Sequence, residues 1–126
     1  MNQPFEVLVA SADTESSSAL TLVLKGMGLK PALCSSVKET QVILSSHPVS
    51  LVFCEEKLAD GSYQDVLRAA KKAALKAPVV VSSRSENWYE YLEALRLGAF
   101  DYLQKPLRAM DVEMIVRYAL RLTLAG

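Results

Sequence analysis

The stretch GAFDYLQKP, residues 98–106, is the most informative part of this sequence, because it predicts a short strand with a lysine just beyond it. The run from Ala99 to Leu103 supplies the strand, and Lys105 follows it. Gly98, just before the run, suits the left-handed backbone position that closes a helix. A single lysine is therefore expected at the carboxyl end of a strand.

Four further apolar runs alternate with longer segments of helical period, so five strands are implied. The first, third and fourth runs are nearly continuous in apolar residues, which is typical of parallel strands covered on both faces. Helices are therefore expected on both sides of the sheet. The four runs are Val7–Ala10, Pro31–Cys34, Leu51–Cys54 and Val79–Val81.

The segments between the strands carry helix signals. Apolar residues at i, i+3, i+4 and i+7 predict one buried face on each of the first, third and fourth helices. Ser36 and Glu39 have capping-box spacing at the start of the second helix, and Gly28 suits the end of the first. The fifth helix is expected from Met110 to Leu122. The three predicted faces are Leu20, Val23, Leu24 and Met27; Tyr63, Val66, Leu67 and Ala70; and Trp88, Tyr91, Leu92 and Leu95.

Five βα units with right-handed crossovers give an α/β fold, a doubly wound (βα)5 parallel five-stranded sheet. In such sheets the ligand site lies at the carboxyl ends of the strands. The functional residues are therefore sought just after each strand.

Composition narrows the class of protein. At 126 residues the chain is long enough for a single domain, residues 1–126, with its own core. Fourteen basic and fourteen acidic residues cancel, so no overall charge favours nucleic acid, an anionic membrane or a polyanionic substrate. Neither a basic-then-apolar leader nor an apolar run of about 20 residues is present, which predicts a cytoplasmic protein. Cys34 and Cys54 lack metal-binding or redox spacing and are expected to be buried thiols.

Three strand ends carry residues that together resemble the receiver domain of bacterial response regulators, the CheY-like family. Glu55 follows the third strand, Ser83 the fourth, and Tyr102, Lys105 and Pro106 lie in or after the fifth. The resemblance covers essentially the whole chain. It implies the flavodoxin-like, CheY-like strand order 2-1-3-4-5, and a domain that can form the N-terminal part of a longer regulator.

The positions retained from the family pattern are those of its conformational switch. The resemblance implies that Ser83 bonds a phosphoryl oxygen and draws its loop inward, and that Tyr102 is the aromatic residue that turns inward with the loop. It also implies that Lys105 neutralises the charge of the phosphate acceptor. Pro106 matches a proline whose peptide bond is typically cis in the family, otherwise a minority state.

The acceptor position departs from the pattern, because Glu55 stands where the family has the phosphorylated aspartate. One extra methylene moves the carboxylate by roughly 1.5 Å, and a misplacement of about 1 Å can cost ~100-fold in rate. Glu55 is expected to imitate the phosphorylated state in part, since it carries one negative charge where an acyl phosphate carries nearly two. Lys105 is then expected to face Glu55 instead of a metal cluster. In the loop that follows, Ala59 replaces the usual proline.

The metal site also departs from the pattern. Ser11 and Ala12 stand at the positions of the acid pair that holds Mg²⁺ in the family, and Asp13 follows them. Asp13 alone is a poor Mg²⁺ site and is expected to cap the first helix, so no cofactor is predicted. Arg84 replaces a usually small residue; it is expected to obstruct the pocket, pair with Glu55 or remain solvated.

The leading hypothesis is an atypical, phosphorylation-independent receiver domain of two-component phosphorelay signalling, a switch and interaction module with no catalytic residue. The family implies a sensor histidine kinase or another signalling protein as partner, and an attached or separate output domain. It also implies a homodimer or an effector contact through the fourth helix, fifth strand and fifth helix. Tyr89, Met114 and Tyr118 lie off the predicted buried faces and are candidates for that surface. No direct contact with nucleic acid or a membrane is expected.

Two alternatives stay open at this point. A phosphorylatable, Mg²⁺-dependent receiver would take phosphate on Glu55 or another acid and use Asp13 as a metal ligand. A flavodoxin-like electron carrier would bind FMN at the same strand ends, although no hydroxyl- and Gly-rich phosphate loop follows Val7–Ala10.

Overall fold

The computed structural model describes residues 6–73 and 76–125. The main sheet has five strands: β1 (Glu6–Ala10), β2 (Lys30–Cys34), β3 (Leu51–Glu55), β4 (Val79–Ser83) and β5 (Asp101–Gln104). Five helices connect or follow them: α1 (Thr14–Gly26), α2 (Val37–Ser46), α3 (Tyr63–Lys72), α4 (Trp88–Arg96) and α5 (Ala109–Ala125), the last extending beyond the predicted Met110–Leu122. Between β3 and α3, Lys57–Leu58 and Gly61–Ser62 form a small antiparallel hairpin that was not predicted from the sequence. Among the described residues, no helix has the length and apolar character needed to cross a membrane.

The strand order is β2-β1-β3-β4-β5, and every pair in this sheet is parallel. The predicted doubly wound (βα)5 sheet and its order are therefore confirmed. The register pairs Glu55 with Ser82 and Ser83 with Gln104. The ends of β3, β4 and β5 consequently lie side by side at one edge of the sheet.

The sheet is covered on both faces, which explains the continuous apolar runs of its central strands. Alternate residues of each strand point to opposite faces, so the apolar residues of β1, β3 and β4 are buried whichever face they point to. One cluster packs against α2, α3 and α4, and the other packs against α1 and α5. Burying one such Val, Leu or Phe stabilises the fold by roughly 1.5–3 kcal/mol. Leu8, Val52 and Val81 point into the first cluster, and Val9, Phe53 and Val80 into the second.

Gly28 and Gly98 both adopt the left-handed conformation predicted for them, with φ of 82° and 109°. After Gly98, the N–H of Ala99 donates to Ala94 O at 2.9 Å, the long-range bond of a Schellman motif. This motif ends α4 sharply and turns the chain into β5. The helix that precedes the lysine-bearing strand is therefore closed as the sequence indicates.

The predicted capping box at Ser36 is only half formed. The N–H of Glu39 donates to Ser36 Oγ at 3.1 Å, but the Glu39 carboxylate accepts from the N–H of Ser35 at 2.9 Å. A complete capping box occurs instead at the start of α3, between Ser62 and Asp65. The sequence pattern for a capping box requires Glu or Gln at N3, so it does not detect Asp65.

Two predicted details are wrong. The fifth strand begins at Asp101 rather than Ala99, because Ala99 is used to close α4. On α4, Trp88 and Leu92 were expected in the core, but they are 64% and 44% exposed. The physical reason is that β5 is an edge strand, so the sheet covers only a narrow stripe of α4 around the fully buried Ala94.

Both cysteines are free and buried, as predicted. Burial raises the pKa of the Cys34 thiol and of the Cys54 thiol. Because the thiolate is the reactive form, this environment disfavours nucleophilic or redox chemistry at either residue.

Candidate functional site

The loops at the carboxyl edge of the sheet bring together the residues singled out from the sequence. Asp13 follows β1, Glu55 ends β3, Ser83 ends β4 and Lys105 follows β5. Since β1, β3, β4 and β5 are neighbours in the sheet, these four positions surround one small area.

Lys105 lies at the centre of this area. Its Nζ forms an ion pair with Glu55 Oε2 and lies 3.6 Å from Asp13 Oδ2. The side chains of Lys105 and Glu55 are only 9% and 11% exposed. Sparse solvation strengthens the attraction between the two charges, but it also makes either charge costly without the other. The lysine therefore faces carboxylates that belong to the chain itself.

Asp13 is the N-cap of α1, so the predicted capping role is confirmed. Its Oδ1 accepts from the N–H groups of Glu15 (3.1 Å) and Ser16 (3.4 Å), and its Oδ2 accepts from the Ser16 hydroxyl at 2.9 Å. The Ser16 hydroxyl is the main cause that lowers the pKa of Asp13, with help from backbone N–H groups and the charge of Lys105. The carboxylate is thus already engaged on both oxygens.

We expect Asp13→Ala to lower the Tm by about 4 °C, because α1 loses the side chain that caps its amino end. Asp13→Asn is the matched control, since asparagine caps a helix about as well as aspartate while lacking the charge. Its Tm should stay within about 1 °C of the parent value. Differential scanning calorimetry of the three proteins checks this, and an equal loss in both variants would show that the charge, not the cap, is what matters.

The resemblance to receiver domains implies a Mg²⁺ site beside Glu55, and the residues present do not fit one. The Ser11 hydroxyl is turned to the backbone of Asp13, donating to its carbonyl (3.0 Å) and accepting from its N–H (3.1 Å). Ala12 offers no side-chain oxygen, and the Asp13 carboxylate has Lys105 beside it. Mg²⁺ needs near-octahedral oxygen ligands, usually including one or two carboxylates. Over residues 6–73 and 76–125, no group of three or more His, Cys, Asp or Glu residues is placed to hold a metal ion.

The Ser83 hydroxyl is bonded to Glu56, a residue to which the sequence analysis gives no role. Ser83 is 3% exposed, and its Oγ donates to Glu56 Oε1 at 3.0 Å. The signal in the sequence is that two acids, Glu55 and Glu56, stand in succession at one strand end. The N–H of Glu56 donates to Ser82 O at 2.9 Å, so the ladder to β4 continues one residue beyond β3. This pairing carries the Glu56 side chain to the end of β4.

The ring of Tyr102 points into the protein. Tyr102 is 8% exposed, and its ring meets the ring of Tyr91 edge-on at 6.0 Å. Tyr91 in turn stacks on Trp88 at 4.9 Å. Burial raises the pKa of Tyr102, and its hydroxyl donates to Glu90 Oε1 at 3.5 Å. A row of three rings therefore joins the site to the exposed start of α4.

Arg84 pairs with Asp13 rather than with Glu55. Its Nη2 lies 3.3 Å from Asp13 Oδ2, and its side chain is 75% exposed. An ion pair so open to solvent contributes little to stability. Arg84 nevertheless places a second cation beside the Asp13 carboxylate, where a divalent ion would have to compete with it.

Two further positions were singled out from the sequence, Pro106 and Ala59. The peptide bond between Lys105 and Pro106 is cis, as the resemblance implies. Ala59 is exposed and lies in the turn of the small hairpin, where its N–H donates to Ser35 O at 3.3 Å.

An apolar surface accompanies the site. Of the nine large apolar side chains exposed in the described part of the chain, six lie on α4 and α5. We call these six the α4/α5 face. They include the predicted Tyr89, Met114 and Tyr118, which are 79%, 66% and 57% exposed. The other three members are Trp88, Leu92 and Met110.

Comparison with known proteins gives a consistent family of relatives. No family model matches the chain. The chain is 27% identical over 117 residues to the response regulator protein PilR of Pseudomonas aeruginosa, a match covering 93% of this chain and 26% of PilR. It is 27% identical over 115 residues to the transcriptional regulatory protein ZraR of Escherichia coli, covering 91% of this chain and 26% of ZraR. The chain therefore spans about a quarter of the length of these curated relatives.

Solved structures have the same fold. The receiver domain of the Francisella response regulator 1452 superposes with a TM-score of 0.86 at 19% identity, covering 94% of this chain and 98% of that one. The beryllofluoride-activated NtrC4 receiver domain dimer gives a TM-score of 0.84 at 18% identity, covering 90% and 94%. Receiver domains are signalling modules rather than catalysts. Strand order, strand-end residues and sequence relatives together make the chain similar to the CheY-like receiver domains found in two-component response regulators.

Proposed function

We propose that this chain is an atypical receiver domain that acts as a switch and interaction module without being phosphorylated. The observation that carries the proposal is the ion pair of Lys105 with Glu55, together with the nearby Asp13 carboxylate. The cation that would neutralise an incoming phosphoryl group is already neutralised by the chain.

The chemistry of phosphoryl transfer supports the same proposal. Transfer depends on positioning and on charge stabilisation by metal ions, and both are impaired. The Glu55 carboxylate stands about one methylene beyond the position of an aspartate, enough to cost ~100-fold or more in rate. Ser11 and Ala12 provide no carboxylate, and Asp13, which follows them, is used as a helix cap. For the same reasons, the alternative of a Mg²⁺-dependent receiver with Asp13 as ligand is disfavoured, and the domain is proposed to be non-catalytic.

The proposed resting state is active-like, with the switch residues drawn inward. Tyr102 is buried and Ser83 is bonded to a carboxylate. In the family these two positions close on a phosphorylated acceptor. Here Ser83 is closed on Glu56 without phosphate, so the surface that the two positions control is presented continuously.

The proposed partners follow from the exposed face and the family. We assign the α4/α5 face to a homodimer, the state described for the NtrC4 receiver domain. Beyond this, the family implies a sensor histidine kinase or other signalling protein and an output domain, with residues 1–126 forming one receiver unit at the N-terminal end of a longer regulator. The neutral overall charge favours neither nucleic acid nor a membrane, and a cytoplasmic location is proposed.

Self-association tests this function. The purified domain is expected to dimerise at micromolar concentration in sedimentation velocity, and acetyl phosphate with Mg²⁺ should leave the dimer unchanged. Tyr89→Ser with Met114→Ser should weaken the dimer at least about tenfold, because two large exposed apolar side chains are lost from its interface.

The matched control is Val42→Ser, which removes a side chain 58% exposed on α2, a helix that packs against α3. It should leave the dimer intact. A domain that stays monomeric until acetyl phosphate is added would contradict phosphorylation independence. Equal weakening by the control would contradict the assignment of the face.

A further inference from the structure

In the strand-end site, two neighbouring carboxylates make the contacts that one phosphoryl group makes in a phosphorylated receiver. A phosphoryl group has three acceptor oxygens, enough to meet a lysine and a switch hydroxyl together. A single carboxylate has only two acceptor oxygens. Here Glu55 takes the lysine and Glu56 takes the hydroxyl. The division is possible because successive residues at a strand end point to different sides.

The Ser83 hydroxyl has a defined orientation because of Glu56. A hydroxyl has one proton to donate and lone pairs that accept. An ionised carboxylate only accepts, so the proton of Ser83 must point to Glu56. The lone pairs of the same oxygen are then available to the N–H of Ser85, which donates to it at 3.0 Å. Without an acceptor at Glu56, the proton is free to turn and compete with that bond.

From Ser85 the bonds continue to the start of α4. The N–H of Asn87 donates to Ser85 Oγ at 3.0 Å, and Asn87 Oδ1 caps the helix by accepting from the N–H of Tyr89 at 2.8 Å. A series of hydrogen bonds, each accepted by a side-chain oxygen, therefore runs from Glu56 through the β4–α4 loop, residues 84–87, to α4. This helix carries part of the α4/α5 face.

We propose that Glu56 is the positioning residue of the switch, holding the Ser83 hydroxyl and through it the β4–α4 loop in the closed arrangement. This proposal rests on the proposed function, because Glu56 is then the internal acceptor that makes phosphate unnecessary. In this proposal the closed position of Ser83 depends on Glu56 rather than on Glu55.

A double-mutant cycle between Glu56 and Ser83 tests the proposal. Amide hydrogen exchange of Ser85 and Asn87, followed by NMR, reports on the loop, and the emission of the single tryptophan, Trp88, reports on the start of α4. Glu56→Ala and Ser83→Ala should each speed exchange at both amides by on the order of tenfold. The double variant should match Ser83→Ala, because without the Ser83 hydroxyl the Glu56 carboxylate has no bond left to lose.

Two further variants separate the bond from the charge. Glu56→Asp keeps the charge but draws the oxygens back by about one methylene, so it should behave like Glu56→Ala. Glu86→Ala removes an exposed carboxylate from the same loop and should leave exchange unchanged. Additive effects of Glu56→Ala and Ser83→Ala on amide exchange would overturn the proposal. Exchange in Glu56→Asp as slow as in the parent protein would also overturn it. Phosphorylation of the parent domain with the Glu56–Ser83 coupling intact would instead overturn only the phosphate-independent function.

Discussion

Lys105→Met is expected to lower the free energy of unfolding by about 3 kcal/mol, the low end for removing one partner of a buried ion pair. The variant leaves Glu55 desolvated beside Asp13 with no lysine to balance either carboxylate. Methionine keeps most of the lysine's apolar volume, so lost packing contributes little. Urea unfolding followed through Trp88 measures the change.

A companion double variant identifies the cause. Glu55→Leu combined with Lys105→Met removes both charges, and apolar replacement of a buried pair is often neutral or stabilising. It should therefore recover most of the stability lost in Lys105→Met. Lys30→Met, at an exposed position of β2, is the control and should stay within about 0.5 kcal/mol of the parent protein. A Lys105→Met variant as stable as this control would mean that the ion pair is not formed in solution.

Restoring the family's acids is expected to restore phosphorylation. Ser11→Asp and Ala12→Asp return the acid pair, and Glu55→Asp returns the acceptor at its usual length. With acetyl phosphate and Mg²⁺, this triple variant should gain the mass of one phosphoryl group, at a rate at least about 100-fold above the parent chain. Intact-mass spectrometry over time measures the gain.

The informative control keeps Glu55 while introducing the acid pair. This Ser11→Asp, Ala12→Asp variant should bind Mg²⁺ but remain unphosphorylated, which isolates the effect of the extra methylene. Rapid phosphorylation of the control would show that glutamate is a competent acceptor here. A triple variant that stays inert would place the defect elsewhere, with Arg84 beside Asp13 the first residue to replace.

The fold was predictable because its signals are local and agree with one another. The continuous apolar runs of β1, β3 and β4 follow from burial on both faces, and Gly28 and Gly98 from backbone positions that other residues seldom adopt. The exposure of Trp88 and Leu92 was not predictable in this way. Helical periodicity identifies an apolar face but not how much of it an edge strand covers.

The site was only partly predictable for a related reason. Its positions follow from strand ends, so Glu55, Ser83 and Lys105 were found by counting along the chain. Their partners depend on which oxygen reaches which donor, and that is fixed by register. Glu56 reaches Ser83 only because its backbone extends the ladder to β4, an arrangement invisible without the three-dimensional pairing.

In the proposed function, the chain's own carboxylates occupy Lys105 and leave no Mg²⁺ site. Isothermal titration of the purified domain with Mg²⁺, with and without beryllofluoride, tests it most directly, because beryllofluoride is a phosphoryl analogue that fills competent receiver pockets. No heat of specific binding is expected in either titration. Coupled binding, in which Mg²⁺ and beryllofluoride each strengthen the other, would contradict the proposed function and restore a phosphorylatable receiver with Asp13 as a metal ligand.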